Sequence, residues 1–263
     1  MKSFTIDKLK VAVYEEPIAM GEAAAEFVQQ KLKKAIQEKN AANMILATGA
    51  SQFSFLEALQ NKEIDWQKVT VFHLDEYKGI SDRHPASFRK YLKERILNAV
   101  SPKKIYFLEG DSDNLEKAMK DYALLLSKHP IDIACIGIGE NGHIAFNDPP
   151  IADFNDPKLV KLAVLDEACR RQQLGEGWFP SFDEVPKEAL TLTIPAIMGC
   201  KAISCVVPDK RKAEAVHNTL YNKISTACPA TILRTHAEAK LFLDKKSASK
   251  ISPDSTTHNF YGA

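Results

Sequence analysis

Short apolar runs alternate with amphipathic stretches along almost the whole chain. Apolar runs of this length predict buried strands, here at residues 9–14, 44–47, 69–74, 105–108, 131–136, 160–165, 189–192, 203–207 and 240–243. Apolar residues at helical spacing predict helices at residues 19–38, 52–60, 87–97, 115–128 and 210–220. The stretches 148–156 and 175–186 are rich in proline, glycine and acidic residues, which predicts loops.

This order of elements predicts the fold class. Strands separated by helices of this length indicate crossover connections and a mainly parallel sheet with helices on both faces. We therefore expect an α/β fold with a Rossmann-like sheet, and the lack of an internal repeat or long linker favours one domain over residues 1–244. Residues 245–263 are rich in lysine, serine and threonine and are expected to form a peripheral polar tail.

The composition mainly excludes classes of partner and of cellular location. In 263 residues, 35 basic and 34 acidic side chains give a formal net charge of +1, so no overall field favours nucleic acid or a membrane as partner. No run reaches the about 18 apolar residues of a membrane span, and the first residues lack an apolar signal core. The five cysteines include no Cys-x-x-Cys pair, which predicts reduced thiols and a cytoplasmic location.

The most distinctive segment is the loop at residues 137–150, Gly-Ile-Gly-Glu-Asn-Gly-His-Ile-Ala-Phe-Asn-Asp-Pro-Pro, which follows the predicted strand 131–136. Open α/β sheets place their ligands at the carboxyl ends of strands, so His143 is the first candidate for a proton-transfer residue. The alternative is an ordinary loop histidine. The glycine spacing also matches a dinucleotide fingerprint, but the prolines leave no room for the helix that a nucleotide site needs, which disfavours that interpretation.

A second strand end, Thr48-Gly49-Ala50-Ser51, leads directly into the predicted helix 52–60. A strand, a turn of small residues and a helix N-terminus together form a cradle of backbone N–H groups that favours an anion. The alternative is an ordinary turn with Ser51 as the helix N-cap.

A third strand end carries two adjacent carboxylates, Asp75 and Glu76. One carboxylate of such a pair can be desolvated and act as a general base while the other is solvated. The alternative is a solvated turn. His73, two residues earlier, is expected to be a structural histidine within the strand.

Two cationic segments complete the candidate chemistry. Arg170 and Arg171 begin a stretch that we expect to be irregular, and Asp209-Lys210-Arg211-Lys212 begins the predicted helix 210–220. A lysine at a helix start is unfavourable because its charge opposes the helix dipole, so its presence there is compatible with a role in binding an anion. Lys210 and Arg211 are expected to be solvated charges. None of the clusters has metal-ligand spacing.

Taken together, these segments resemble the glucosamine-6-phosphate deaminase/isomerase family over nearly the whole chain. The matching segments occur in the family's order and are Thr48-Gly49-Ala50-Ser51, Leu74-Asp75-Glu76-Tyr77, His84-Pro85-Ala86-Ser87-Phe88, the loop 137–149, residues 185–191 and Lys212-Ala213. The related 6-phosphogluconolactonases share the Gly-x-Gly-x-x-Gly-His core but continue differently after it.

The resemblance implies conversion of an amino-sugar 6-phosphate, foremost glucosamine 6-phosphate, to a ketose phosphate and ammonia, without metal or redox cofactor. By resemblance Asp75 is the enolisation base and His143 is the ring-opening acid/base. The residues implied for substrate and phosphate binding are Thr48, Gly49, Ala50, Ser51, Glu76, Gly142, Arg171 and Lys212.

The chain departs from the family beside the histidine. Familiar members flank it with two carboxylates, and the matching positions here are Asn141, which is uncharged, and Asp148, which is one methylene shorter than the usual glutamate. Glu140 is expected to point elsewhere. Two alternatives therefore stay open, a 6-phosphogluconolactonase-type hydrolase and a non-catalytic sugar-phosphate sensor. The sequence leaves the amino-sugar epimer undecided and a homo-oligomer open.

Overall fold

The computed structural model describes residues 1–251 and is built around an eight-stranded sheet. In spatial order its strands are β1 (Lys2–Ile6), β2 (Leu9–Tyr14), β11 (Ala239–Asp244), β10 (Ile203–Val207), β7 (Ile133–Ile136), β3 (Ala42–Leu46), β4 (Val69–His73) and β6 (Lys104–Tyr106). β1 pairs antiparallel with β2, and the other neighbours are parallel. The predicted α/β class with a mainly parallel sheet is confirmed.

Two predicted strands lie outside this sheet. β8 (Val160–Val164) and β9 (Glu188–Leu192) pair antiparallel, and β9 also pairs with β5 (Asp75–Tyr77), which makes a separate three-stranded sheet. Their expected place in the parallel sheet is therefore wrong. The two sheets meet at Leu74, whose N–H donates to Leu46 O and whose carbonyl accepts from Leu192 N. The chain thus leaves the main sheet immediately before Asp75.

Helices cover both faces of the main sheet. The α-helices of the described residues are α1 (Pro17–Lys39), α2 (Phe53–Gln60), α3 (Phe88–Leu92), α4 (Asn98–Val100), α5 (Leu115–Lys128), α6 (Glu167–Gly175), α7 (Ile194–Met198) and α8 (Ala213–Tyr221), of which α6 packs with the three-stranded sheet. Alternate strand residues point to opposite faces. In β3, Met44 packs with α1 and α2, whereas Ile45 packs in the cluster that contains α5 and α8 side chains. Both faces of the parallel strands are therefore buried.

The expectation of an irregular stretch from Arg170 is wrong, because α6 begins at Glu167. The Asp166 side chain caps this helix by accepting a hydrogen bond from Cys169 N at 2.6 Å. The run Arg-Arg-Gln-Gln within α6 is polar and shows no apolar periodicity, so the sequence pattern does not indicate the helix.

The chain beyond β11 continues to pack against the domain for a few residues. Ser247 is fully buried, and its N–H donates to Asp244 Oδ1 at 2.7 Å. The rest of the predicted polar tail falls on residues 252–263, which lie outside the described residues. All five cysteines are free and buried. Within residues 1–251, none of the helices combines the length and the apolar character that crossing a membrane requires.

Candidate active site

The carboxyl ends of four neighbouring strands in the main sheet meet at one cavity. In spatial order β4, β3, β7 and β10 are adjacent. From β3 the sheet continues through β4 to β6 on one side, whereas from β7 it continues through β10 to β11 on the other, so the strand order reverses between β3 and β7. Ligands in open α/β sheets bind at such a switch point. The cavity is lined by Thr48, Gly49 and Ser51 after β3, Asp75 after β4, Gly137, Gly139 and His143 after β7, and Lys212 after β10.

The anion loop, which we define as residues 48–51, lies on the floor of this cavity. The loop passes into a short 3-10 helix (Ala50–Gln52) that continues directly as α2, so free backbone N–H groups end at the loop. Lys212 ends the 3-10 turn Lys210–Lys212 after β10 and is only 4% exposed. Burial lowers its pKa. This arrangement brings a backbone donor loop and a desolvated lysine together.

Asp75 is the first residue of β5, at the junction of the two sheets. Its side chain is buried and has no hydrogen bond to another described residue. Burial, and secondarily the neighbouring carboxylate of Glu76, raises the pKa of Asp75 to about 8. A carboxylate with a raised pKa is a stronger base, which suits it to remove a proton from carbon.

His143 is held by the backbone of its own loop. A Cβ on Gly139 would lie 2.2 Å from the imidazole ring, so only glycine fits at this position. The His143 Nδ1 atom lies 2.8 Å from Asp148 Oδ1, although the ring N–H is not aligned for a hydrogen bond. The shorter aspartate therefore does reach the histidine.

Asp148 is fully buried, and its carboxylate lies beside the His143 ring. Burial alone would raise the pKa of Asp148, but His143 and the Asn141 amide outweigh burial and lower it. Asn141 donates to Asp148 Oδ1 at 3.0 Å and to Asp166 Oδ2 at 3.2 Å, and its own oxygen accepts from His143 N. Asn141 thus fixes the loop but brings no charge. Glu140 points away, and its carboxylate lies 3.7 Å from the Arg211 guanidinium.

Glu76 lies beside the site but not in the cavity lining. Its carboxylate accepts hydrogen bonds from Ser87 Oγ, from the N–H groups of Phe88 and Arg89, and from Arg89 Nε. Glu76 therefore anchors the start of α3. His73 is fully buried in β4, and burial lowers its pKa to about 3, so it is neutral as expected of a structural histidine.

Three other predicted binding residues do not line the cavity. Arg171 is exposed on α6 and pairs with Glu167. Gly142 packs against Cys228. Ala50 turns its N–H toward Glu176 Oε2, 3.5 Å away.

The lining also contains residues that the sequence did not single out, Phe88, Ala145, Phe146, Gln172, Gln173 and Glu176. Gln173 accepts a hydrogen bond from Tyr77 Oη at 2.7 Å. The polar residues among them belong to α6 and to its C-terminal end. If the sequence had predicted α6 as a helix, these polar residues would have been expected on one face, because helical residues three or four apart share a face.

Among the described residues, His143, Asp148 and Cys169 are a group whose ligand-type atoms lie within 4.8 Å of one another. The Nδ1–Oδ1 separation of 2.8 Å is shorter than the roughly 3.3 Å between neighbouring ligands of a tetrahedral zinc ion with bonds of about 2.0 Å. The geometry fits an imidazole–carboxylate pair better than a metal site.

The chain is similar to known proteins over most of its length. A family model described as glucosamine-6-phosphate isomerases/6-phosphogluconolactonase matches residues 15–242. A glucosamine-6-phosphate deaminase of Exiguobacterium sibiricum is 34% identical over 246 residues, which is 94% of each chain. A glucosamine-6-phosphate deaminase of Streptococcus equi subsp. zooepidemicus is 29% identical over 243 residues, 92% of this chain and 100% of that one.

Solved structures show the same relationship. A monomeric glucosamine-6-phosphate deaminase has a TM-score of 0.82 at 31% identity and covers 91% of this chain and 98% of its own. A 6-phosphogluconolactonase from Thermotoga maritima has a TM-score of 0.74 at 20% identity, over 90% of this chain and 100% of its own. At that identity the second likeness concerns the fold alone.

Proposed function

Because the chain belongs to the family of glucosamine-6-phosphate isomerases and 6-phosphogluconolactonases, we propose that it is an enzyme that converts glucosamine 6-phosphate and water to fructose 6-phosphate and ammonia. The observation that carries this proposal is the shared cavity of Asp75, His143, the anion loop and Lys212. An enolising isomerase needs a base for a carbon-bound proton, an acid/base for the sugar ring and a fixed anion site. The relatives at 29–34% identity named above are deaminases.

His143 opens the pyranose ring in this proposal. His143 takes the proton of the anomeric hydroxyl, and the imidazolium that forms gives a proton to the ring oxygen, so that the ring opens to the aldehyde. Asp148, whose pKa is lowered, stays ionised at neutral pH and stabilises the imidazolium. Asn141 contributes orientation only, because it holds the Asp148 carboxylate and the backbone of His143.

Asp75 then moves the proton between carbons. Its carboxylate removes the proton from C2 while a proton of the substrate ammonium group passes to O1, which gives an enolamine. Asp75 then returns its proton to C1, which leaves a protonated imine at C2. Water adds to the imine carbon, and ammonia leaves. Because its pKa is raised to about 8, the Asp75 carboxylate is basic enough to take the proton from C2 near pH 8. The carboxylic acid that forms is still acidic enough to give the proton to C1.

Ammonia release is the direct test of the proposed reaction. Purified protein supplied with glucosamine 6-phosphate is expected to release one ammonia for each fructose 6-phosphate formed, measured by coupled dehydrogenase assays. Galactosamine 6-phosphate in parallel identifies the epimer. Hydrolysis of 6-phosphogluconolactone without ammonia would establish the lactonase instead, and saturable binding of both amino sugars without turnover would establish the sensor.

Replacement of Lys212 by methionine is expected to raise KM for the sugar phosphate about thirtyfold, a larger factor than any fall in kcat. The reason is that a buried charge-assisted bond to the phosphate is lost. Steady-state kinetics measure both constants. Lys210→Met is the matched control, because Lys210 is exposed on the same 3-10 turn. An equal rise in KM for both variants would contradict a specific role for Lys212.

The assembly and the location of the enzyme remain proposals. We propose that the chain acts on its own, because the similar solved deaminase is described as monomeric. Light scattering at assay concentration tests this against the homo-oligomer that the sequence leaves open. A cytoplasmic location stays a prediction from the sequence.

A further inference from the structure

The carboxylate of Glu176 lies against the anion loop. Its Oε2 atom is 3.5 Å from Ala50 N and accepts a hydrogen bond from Trp178 Nε1 at 3.1 Å, while Oε1 accepts from Gln172 Nε2 at 3.0 Å. The same Oε2 atom would be 3.5 Å from a Cβ placed on Gly49. A protein carboxylate thus occupies space beside the backbone donors that are suited to a phosphate.

The backbone around Glu176 allows this side chain to move. Glu176 follows the last residue of α6 and stands between Gly175 and Gly177. Gly177 has a φ of +80°, and a Cβ at either glycine would meet nothing within 4 Å. The 3.5 Å contact with Ala50 is at the upper limit for a hydrogen bond. The contact of the carboxylate with the anion loop is therefore weak, and its better hydrogen bonds come from Gln172 and Trp178, outside the loop.

The charges around the anion loop indicate that the position of the Glu176 carboxylate affects phosphate binding. Lys212 is the only lysine or arginine among the described residues that line the cavity. Burial lowers the pKa of Lys212, and the Glu176 carboxylate is the largest of the charges that oppose this effect. A phosphate dianion bound at the same loop would lie beside the Glu176 carboxylate. Two anions at such a distance repel strongly in a site of low polarity.

We propose that Glu176 competes with the substrate phosphate for the anion loop and thereby sets the affinity and selectivity of the enzyme for phosphorylated sugars. The inference rests on the proposed function for the identity of the phosphate-bearing substrate. When phosphate enters, it takes the backbone donors and Lys212, and the Glu176 side chain turns away on its Gly-Glu-Gly segment. Glu176 is thus a specificity-determining residue and not a phosphate ligand.

Substitution of Glu176 by glutamine tests the competition. The amide keeps the size and one oxygen acceptor of the side chain but removes its charge. KM for the amino-sugar phosphate is expected to fall about tenfold, and the dissociation constant of inorganic phosphate, measured by titration calorimetry, is expected to fall by a similar factor. Glu184→Gln removes an exposed carboxylate from the same loop and is expected to leave both constants within twofold of wild type.

Glu176→Asp provides a second variant that keeps the charge but shortens the side chain by one methylene. An intermediate fall in both constants is expected, and circular dichroism confirms that each variant folds. A rise in KM and in the phosphate dissociation constant for Glu176→Gln would overturn the proposal, because Glu176 would then be a ligand of the substrate. Unchanged constants would overturn it as well.

The phosphate titration separates this inference from the proposed function. If the wild-type protein deaminates neither amino sugar but Glu176→Gln binds inorganic phosphate more tightly, the proposed reaction fails and the competition stands. If deamination is observed but phosphate binds both proteins equally, the competition fails and the reaction stands.

Discussion

Replacement of Asp75 by asparagine is expected to lower kcat for ammonia release by about a thousandfold. The amide has the shape of the carboxylate but cannot take the proton from C2. The effect is the largest that we expect from one substitution, because the proposed transfer of the C2 proton depends on Asp75 as its base. The substrate-dependent rate of ammonia formation at pH 8 measures it.

The same substitution is expected to stabilise the fold. Because burial raises the pKa of Asp75 from 3.8 to about 8, the unfolded chain loses this proton more readily than the folded one, and stability falls as pH rises through that window. Above pH 8 this shift corresponds to roughly 6 kcal/mol as an upper limit. The buried amide has its own desolvation cost, so we expect a net gain of about 2 kcal/mol, or about 5 °C in Tm.

The pH dependence provides an independent check on Asp75. In the wild-type enzyme, kcat/KM is expected to rise with pH and to level off above an acid-limb pKa near 8, since the base must be ionised in the free enzyme. Asp121→Asn, an exposed residue on α5, is the control and should change neither rate nor stability. A fully active or a destabilised, partly unfolded Asp75→Asn protein would contradict the assignment.

Much of the fold follows from the sequence because its strands and long helices are strongly patterned. The bounds of β2, β10 and α5 coincide with the predicted ones. The edge strand β1 was missed because its exposed and half-buried residues lack a clear apolar run. The second sheet was missed because periodicity identifies a strand but not its partner, and only the turn of the chain at Leu74 separates β5 from the main sheet.

The candidate site followed from the sequence where residues lie at the ends of buried strands. Asp75, His143 and three residues of the anion loop (Thr48, Gly49 and Ser51) stand at such strand ends, and they line one cavity. Arg171 could not be judged, because the phase of a helix decides which side chains turn inward, and α6 was expected to be irregular. On α6 the buried residues are Cys169, Arg170 and Gln173, whereas Arg171 faces outward.

Replacement of His143 by glutamine is expected to lower kcat/KM for the cyclic sugar phosphate by about two to three orders of magnitude. Glutamine keeps hydrogen-bonding capacity but cannot exchange a proton near neutral pH, so the ring stays closed. It also leaves Asp148 as a fully buried carboxylate without its cationic partner. Without His143, burial dominates and raises the pKa of Asp148 in the variant. We therefore expect Tm to fall at neutral pH and to recover in part as acid protonates Asp148, which is the direction expected for a carboxylate whose pKa is raised in the folded state.

An open-chain analogue distinguishes ring opening from substrate binding. The 2-amino-2-deoxyglucitol 6-phosphate molecule carries the same phosphate and amino group but has no ring to open. If His143 acts on the ring oxygen, His143→Gln should bind this analogue within about threefold of wild type in a calorimetric titration, since its affinity comes from the anion loop and Lys212. His217→Gln, on α8 outside the cavity lining, is the control for loss of a histidine. Loss of binding to the open-chain analogue would assign His143 to substrate binding, because an acid/base that serves only the closed ring has nothing to contribute once the ring is absent.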